Sequence, residues 1–244
     1  MPTLTLQLER TTAVTPSPRV LAVAGMFGLG LDAARSRTIL PPTTLPLDPG
    51  RVVFITGPSG SGKSSLLRLV GEQVPDAVSF DAMPALADVP LVDAFAALQL
   101  SDSLRLLALA GLGDAFVMLR RPAELSDGQR YRLRLAQAMA AVEARVCGVG
   151  GGVCHDTNAT PATPHTPSPT PLLLADEFGA TLDRTTAAVI ARNLRKWVTR
   201  HGRVCILVAT THDDLLEPLD PDVLVEIGLD GHVEVVRRGA GSSE

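Results

Sequence analysis

Nine consecutive residues, Gly57-Pro58-Ser59-Gly60-Ser61-Gly62-Lys63-Ser64-Ser65, have the types and spacing to hold a polyphosphate. Glycines let the backbone turn its N–H groups inward and cradle phosphate oxygens without Cβ clashes. Gly57 to Ser64 matches G-x-x-x-x-G-K-[ST] in full, so Lys63 is placed to neutralise the β- and γ-phosphates and the Ser64 hydroxyl to ligate Mg²⁺. A second chemical group follows far downstream. The apolar run Leu172-Leu173-Leu174-Ala175 ends in two carboxylates, Asp176 and Glu177. Asp176 is placed to hold Mg²⁺, through water, and Glu177 to orient and deprotonate the attacking water, because phosphoryl transfer asks mainly for positioning and charge compensation. Alone, an acidic strand end is a solvated surface feature and a glycine turn is a connector. Coupled, they predict Mg²⁺-dependent chemistry on a nucleoside triphosphate such as ATP.

Both groups need a rigid frame. Residues 51–56 (RVVFIT) form a β-branched and aromatic run that predicts a buried strand, and residues 63–74 space Leu66, Leu67, Leu69 and Val70 as one helix face. The glycine loop therefore joins a strand to a helix whose positive N-terminal end points at the anion. Downstream, strands are expected over 172–175, 204–209, 223–227 and 232–236, with a helix over 185–200 and a closing hairpin at Leu229-Asp230-Gly231. Strands alternating with helices predict an α/β fold with a mainly parallel core sheet covered on both faces. Upstream, Leu4, Leu6 and Leu8 alternate with polar residues as in a half-buried strand, residues 20–24 are a second strand candidate, and Pro41, Pro42, Pro46 and Pro49 predict a loop-rich approach.

Residues 82–147 are rich in Ala and Leu and read as helical, with a break at Gly111-Leu112-Gly113 and a long helix over 130–146. Residues 148–171 are low in complexity, full of Gly, Pro, Thr and Ser, and are expected to be a flexible surface insertion. One domain over 1–244 is expected: an N-terminal β region (1–50), a nucleotide-binding core (51–81 and 172–244), a helical arm (82–147) and the insertion.

The composition narrows the setting. Of 244 residues, 45% are hydrophobic and 20% charged, enough for a sizeable core. The formal net charge of -4 supplies no global basic field for nucleic acid. Three cysteines (Cys147, Cys154, Cys205) do not make a disulfide framework, and Cys147, Cys154, His155 and His165 fit no zinc spacing. No signal peptide is read at the N-terminus, and the longest apolar run, residues 20–31, falls short of the ~20 residues a membrane span needs. These features predict a soluble, cytoplasmic protein.

Three further segments carry a resemblance. Leu125-Ser126-Asp127-Gly128-Gln129 resembles the Leu-Ser-Gly-Gly-Gln signature of ATP-binding cassette (ABC) ATPases, Ala180-Thr181-Leu182-Asp183 resembles their D-loop, and His212 resembles their switch histidine. With the glycine loop and the acidic pair these stand in the family's order. The resemblance implies the ABC type of P-loop ATPase: a core sheet with an N-terminal antiparallel β part and a helical arm carrying the signature. It implies ATP and Mg²⁺ as cofactors and a homodimer closed by ATP. In it Ser126, Gly128 and Gln129 would meet nucleotide held by the opposite subunit, Asp183 would belong to the D-loop, and His212 would sense the γ-phosphate.

Departures from the pattern matter. Asp127 replaces a glycine, and Asp81 stands where the family's Gln loop should follow Val78-Ser79-Phe80, with Gln99 too deep in the arm to fill it. Phe27 is the candidate for stacking on adenine. The Asp-containing signature and the run from Asp176 to Asp183 also resemble a non-transporter group of ABC ATPases, some fused to an acyltransferase-like domain, for which 244 residues leave no room. Because the Gln loop is unrecognisable, a soluble stand-alone ATPase is favoured over a transporter subunit bound to a membrane partner. A nucleotide-gated binding module with little hydrolysis is the third reading. Arg120, Arg121, Arg130, Arg132, Arg134 and Arg145 would serve either as structural ion pairs or as a basic face for nucleic acid. The protein partner is not specified.

Overall fold

The computed structural model describes residues 3–12, 14–30, 35–147 and 170–238. Among the described residues eight strands run in chain order: β1 (Thr3–Thr12), β2 (Arg35–Pro46), β3 (Val52–Thr56), β4 (Val78–Ser79), β5 (Leu172–Ala175), β6 (Cys205–Ala209), β7 (Val223–Ile227) and β8 (Val233–Arg237). The α-helices are α1 (Pro18–Met26), α2 (Lys63–Gln73), α3 (Leu91–Ala94), α4 (Leu100–Leu109), α5 (Ala115–Met118), α6 (Asp127–Cys147), α7 (Arg184–His201) and α8 (Leu216–Leu219).

The core sheet has the order β4-β5-β6-β3-β7-β8. Its pairings are parallel except the last, where β7 and β8 form the expected antiparallel hairpin. Central parallel strands are covered on both faces, which is why β3, β5 and β6 read as continuous apolar runs. Alternation within each strand then sorts side chains to opposite faces. Phe54, Leu173, Ile206 and Val208 face the core shared with α6 and α7. Ile55, Leu174, Leu207 and Ala209 face a second core closed by Leu66, Leu67 and Val70 of α2 and by Leu6, Leu40 and Leu45 of the β1–β2 pair.

Two expectations for the N-terminal region are overturned. Residues 20–24 form part of a helix, not a strand. Ser17 is the N-cap, its hydroxyl accepting the Val20 N–H at 3.2 Å, and Pro18 occupies the first turn, where a missing N–H costs nothing. That start signal outweighs the β-branched character of Val20 and Val23. The prolines do not make a loop either: β2 runs through Pro41 and Pro42 and pairs antiparallel with β1. Leu6 pairs with Thr43 and Leu8 with Leu40, so both prolines lie against Gln7 alone at a register shift. A bulge tolerates residues without an N–H.

Buried polar contacts fix the arm to the core. Glu143 of α6, 3% exposed, accepts from Trp197 Nε1 at 2.7 Å and from Arg105 of α4 at 2.7 Å, and His201 Nε2 lies 2.9 Å away. Burial alone would raise the Glu143 pKa, but hydrogen bonds from His201, Arg105 and Trp197 outweigh it and hold the group down to about 2. Two residues before Trp197 on α7, Arg195 donates to Asp222 at 2.6 Å, and Asp222 also accepts from Arg51 at 2.6 Å and from the Val52 N–H at 2.9 Å. Most of the insertion 148–171, with Cys154, His155 and His165, lies outside the described residues, and Cys147 is described only as the end of α6.

Candidate active site

The glycine loop leaves β3 at Gly57 and enters α2 at Lys63. Gly57 (φ 144°), Gly60 (φ 79°) and Gly62 (φ 110°) all take left-handed backbone, which side-chain-bearing residues enter only at a cost. At Gly57 space is decisive as well: a Cβ there would lie 2.2 Å from the Ile227 carbonyl oxygen. Lys63 is 9% exposed and its Nζ donates to the Gly57 carbonyl at 2.7 Å and the Pro58 carbonyl at 2.9 Å. Burial lowers its pKa, while the Asp176 and Glu177 charges pull the other way.

A cavity of about 460 Å³ opens beside this loop. It is lined by Ser59, Gly60, Gly62, Lys63, Ser64 and Ser65 from the loop, Asp176 and Glu177 from the end of β5, and His212 after β6. The structure thus brings together residues that the sequence separates by more than a hundred positions. The volume suits a small polar ligand. Ser64 and Asp176 present only oxygen donors to it, the donor type that suits Mg²⁺. Among the described residues no three His, Cys, Asp or Glu side chains converge on a metal position. A divalent ion here therefore depends on phosphate and water oxygens as well.

Glu177 adopts φ 46° without being glycine, and its N–H donates to Asp176 Oδ1 at 3.0 Å. Backbone strain of this kind persists only where the surroundings impose it. Here the following turn is pinned: Phe178 N–H donates to the Ala209 carbonyl at 2.9 Å, Thr210 Oγ1 donates to the Phe178 carbonyl at 3.1 Å, and Gly179 N–H donates to the Tyr131 hydroxyl at 2.9 Å. The His212 N–H in turn donates to Thr210 Oγ1 at 3.2 Å. The acidic pair and the histidine thus share one hydrogen-bonded scaffold.

Ser126, Gly128 and Gln129 do not line the cavity of their own chain. They start α6, where Ser126 and Gln129 cap each other: Gln129 N–H donates to Ser126 Oγ at 3.3 Å and Ser126 N–H to Gln129 Oε1 at 3.0 Å. Asp183 caps α7, accepting the Thr186 N–H at 2.9 Å. Gly128 lies against Leu182 and the Thr181 carbonyl, so signature and D-loop segments are neighbours within one chain. Phe27 ends α1, 74% exposed, and is not among the residues lining the phosphate cavity.

Three of the arm arginines have structural partners. Arg132 donates to the Gly128 and Gly111 carbonyls, Arg121 pairs with Asp88, and Arg134 lies over the Phe80 ring. Two contributors escaped the sequence reading. Ile39 lines the cavity from a second register shift in β2, where Leu8 pairs with Leu40 but Glu9 with Thr38. Tyr131, the only tyrosine of the chain, packs against Phe80 and Phe178. Nothing local marks either role.

No protein-family model matches the chain. Among characterised proteins, the lipoprotein-releasing system ATP-binding protein LolD of Nitrobacter hamburgensis is 31% identical over 234 residues, covering 80% of this chain and 87% of LolD. The sulfate/thiosulfate import ATP-binding protein CysA of Gloeobacter violaceus is 30% identical over 223 residues, covering 75% of this chain and 54% of CysA. Among solved structures, the ATP-binding cassette MJ0796, a dimer in a post-hydrolysis state bound to ADP and Pi, superposes with a TM-score of 0.57 over 85% of this chain and 94% of that one, at 20% identity. No helix among the described residues is long and apolar enough to cross a membrane. Sequence kinship over four fifths of the chain, the cassette fold and the phosphate cavity agree: the chain belongs to the ATP-binding cassette family of P-loop ATPases, which hydrolyse ATP with Mg²⁺.

Proposed function

We propose that this chain is the ATP-binding subunit of an ABC transporter, working as a nucleotide-sandwich dimer and docked on a membrane-embedded partner. The observation that carries the transport reading is the kinship to LolD and CysA, both named as ATP-binding proteins of transport systems. It takes precedence over the stand-alone ATPase favoured by the sequence, which rested on an unrecognisable Gln loop. The pairing reading draws on Ser126, Gly128 and Gln129, which sit on the arm away from their own cavity, as residues meant for a second copy's nucleotide must.

The chemistry follows from position. Lys63 and the loop amides bind the β- and γ-phosphates, and the start of α2 adds its dipole. Ser64 and Asp176 would hold Mg²⁺, which would supply positive charge beside the phosphate oxygens. Glu177 accepts a hydrogen bond from the attacking water and takes its proton as the oxygen bonds to phosphorus and the bond to the ADP oxygen breaks. His212 donates to the γ-phosphate. Ser126 and Gly128 of the partner copy close the site from the other side and exclude bulk water.

Two measurements test this. Phosphate release from ATP should vanish in Lys63→Ala, and Glu177→Gln should trap an ATP-bound dimer on size-exclusion chromatography. For the transport reading, tagged chain expressed in its own host should co-purify with an integral membrane protein in mild detergent and lose ATP-dependent transport when Glu177 is changed. Recovery as a free homodimer with unaltered turnover would return the stand-alone reading.

A further inference from the structure

The last side chain of β3 reaches across to the segment that carries His212. β3 and β6 run parallel, with Ile55 opposite Ala209, and Thr210 N–H extends that ladder by donating to the Ile55 carbonyl at 3.1 Å. Beyond this point the two segments part, one into the phosphate loop at Gly57 and the other toward His212. Thr56 Oγ1 ties them together again by donating to Asp213 Oδ1 at 2.6 Å. That length lies in the short range of hydroxyl-to-carboxylate bonds, which are roughly twice as strong as neutral ones. His212 is thus held from both sides. Its own N–H donates to Thr210 Oγ1 at 3.2 Å, and its neighbour Asp213 is fixed to the root of the phosphate loop. The turn that follows, Asp213–Leu215, is anchored by the buried Leu215.

The same bond sorts two adjacent side chains into different cavities. His212 lines the phosphate cavity. Thr56 and Asp213 line a neighbouring cavity of about 800 Å³ beside Gly57 and Pro58, and Thr211 borders both. The carboxylate therefore stands clear of the cavity where the γ-phosphate would lie, while the imidazole borders it. We propose that Thr56, acting through Asp213, is a positioning residue for His212. It fixes the segment that presents the imidazole to the root of the phosphate loop, and it keeps the adjacent anion from approaching and repelling the γ-phosphate. The proposal rests on the ATPase site described above and goes beyond it, because no role there uses Thr56 or Asp213.

The test is a double-mutant cycle on the full chain, read by phosphate release in single turnovers with enzyme in excess and by calorimetric ADP affinity, both with Mg²⁺. Thr56→Val keeps the shape and removes the hydroxyl, whereas Thr56→Ser keeps the donor. Misplacing a reacting group by about 1 Å can cost up to about a hundredfold in rate. Thr56→Val should accordingly lose roughly tenfold in rate with ADP affinity unchanged, the pattern of an interaction that matters in the transition state alone. Thr56→Ser should restore the rate. In a His212→Ala background, Thr56→Val should have almost no further effect, because the group it positions is gone. Urea midpoints of each variant separate misfolding from this effect. A tenfold loss that persists without His212 would show that Thr56 acts on the fold, and an equal loss of ADP affinity would place its effect in the phosphate loop. Either result, or full activity in Thr56→Val, would overturn the proposal and leave the ATPase site standing. Wild type that releases no phosphate from ATP would overturn both.

Discussion

The hydroxyl of Tyr131, one turn into α6, accepts the backbone N–H of Gly179 at 2.9 Å, two residues beyond Glu177. The ring is buried between Phe80 and Phe178, so this bond joins the helix that begins at the signature segment to the turn that presents the proposed catalytic carboxylate. Burial raises the Tyr131 pKa, which keeps the phenol neutral throughout the working pH range.

Tyr131→Phe should therefore do more than remove a hydroxyl. It leaves the buried Gly179 N–H without an acceptor, at a cost of about 1–3 kcal/mol. The turn it supports begins at Glu177, whose left-handed backbone needs its surroundings. Stability should drop by that amount in urea denaturation, and phosphate release should fall several-fold more than ATP affinity. Equal losses in turnover and binding would show that the bond supports the fold alone.

The phosphate loop was legible because its chemistry is local: eight adjacent residues specify both a backbone shape and a charge. The acidic pair was legible because β5 is a buried parallel strand, whose apolar run stops abruptly at Asp176. What escaped depends on pairing or on competition between signals. Ile39 reaches the cavity through a register shift that no window of β2 predicts. Residues 20–24 have a strand's composition, yet Ser17 and Pro18 start a helix just ahead of them.

Two glycines of the loop should respond differently to the same methyl group. Gly57→Ala puts a Cβ 2.2 Å from the Ile227 carbonyl oxygen and 3.0 Å from Ser61 Oγ, so loop and β7 must separate. Gly60→Ala meets nothing within 4 Å and pays only for its left-handed backbone, roughly 1–2 kcal/mol. Titration with a fluorescent ATP analogue should find binding abolished in the first variant and weakened no more than about tenfold in the second. Indistinguishable affinities would mean that the Gly57 contact does not shape the loop.

Glu143 makes stability pH-dependent in a defined window. Its pKa falls from the ordinary 4.5 to about 2 on folding. A depressed carboxylate contributes stability in full above the unfolded value and loses it as pH falls toward the folded value. Between pH 4.5 and 2 the wild type should weaken progressively, and Glu143→Gln should show a shallower decline there. Glu143→Ala strands Arg105, Trp197 and His201 together and should cost about 3–5 kcal/mol at neutral pH. Denaturant midpoints measured from pH 7 downward check both, and parallel curves for wild type and Glu143→Gln would contradict the assignment.

Asp127 is the departure with the clearest consequence for pairing. Its carboxylate, 88% exposed, stands in the first turn of α6 and pairs with Arg130 at 2.5 Å, while Arg130 also donates to the Leu125 carbonyl at 2.5 Å. The negative charge suits a helix N-terminus, so Asp127→Gly should cost a few tenths of a kcal/mol in stability. In the proposed dimer, however, that helix end faces the γ-phosphate bound by the second copy, and two anions then approach each other. Arg130 offsets the repulsion only in part, because an exposed pair is weak. Removing the carboxylate should strengthen ATP-dependent pairing by about 1 kcal/mol, roughly fivefold in the dimer dissociation constant. Arg130→Ala should shift it the opposite way. Analytical ultracentrifugation of each variant in the Glu177→Gln background, with ATP and Mg²⁺, measures both. An unchanged or weaker dimer for Asp127→Gly would mean that the carboxylate stays clear of the phosphate when the copies close.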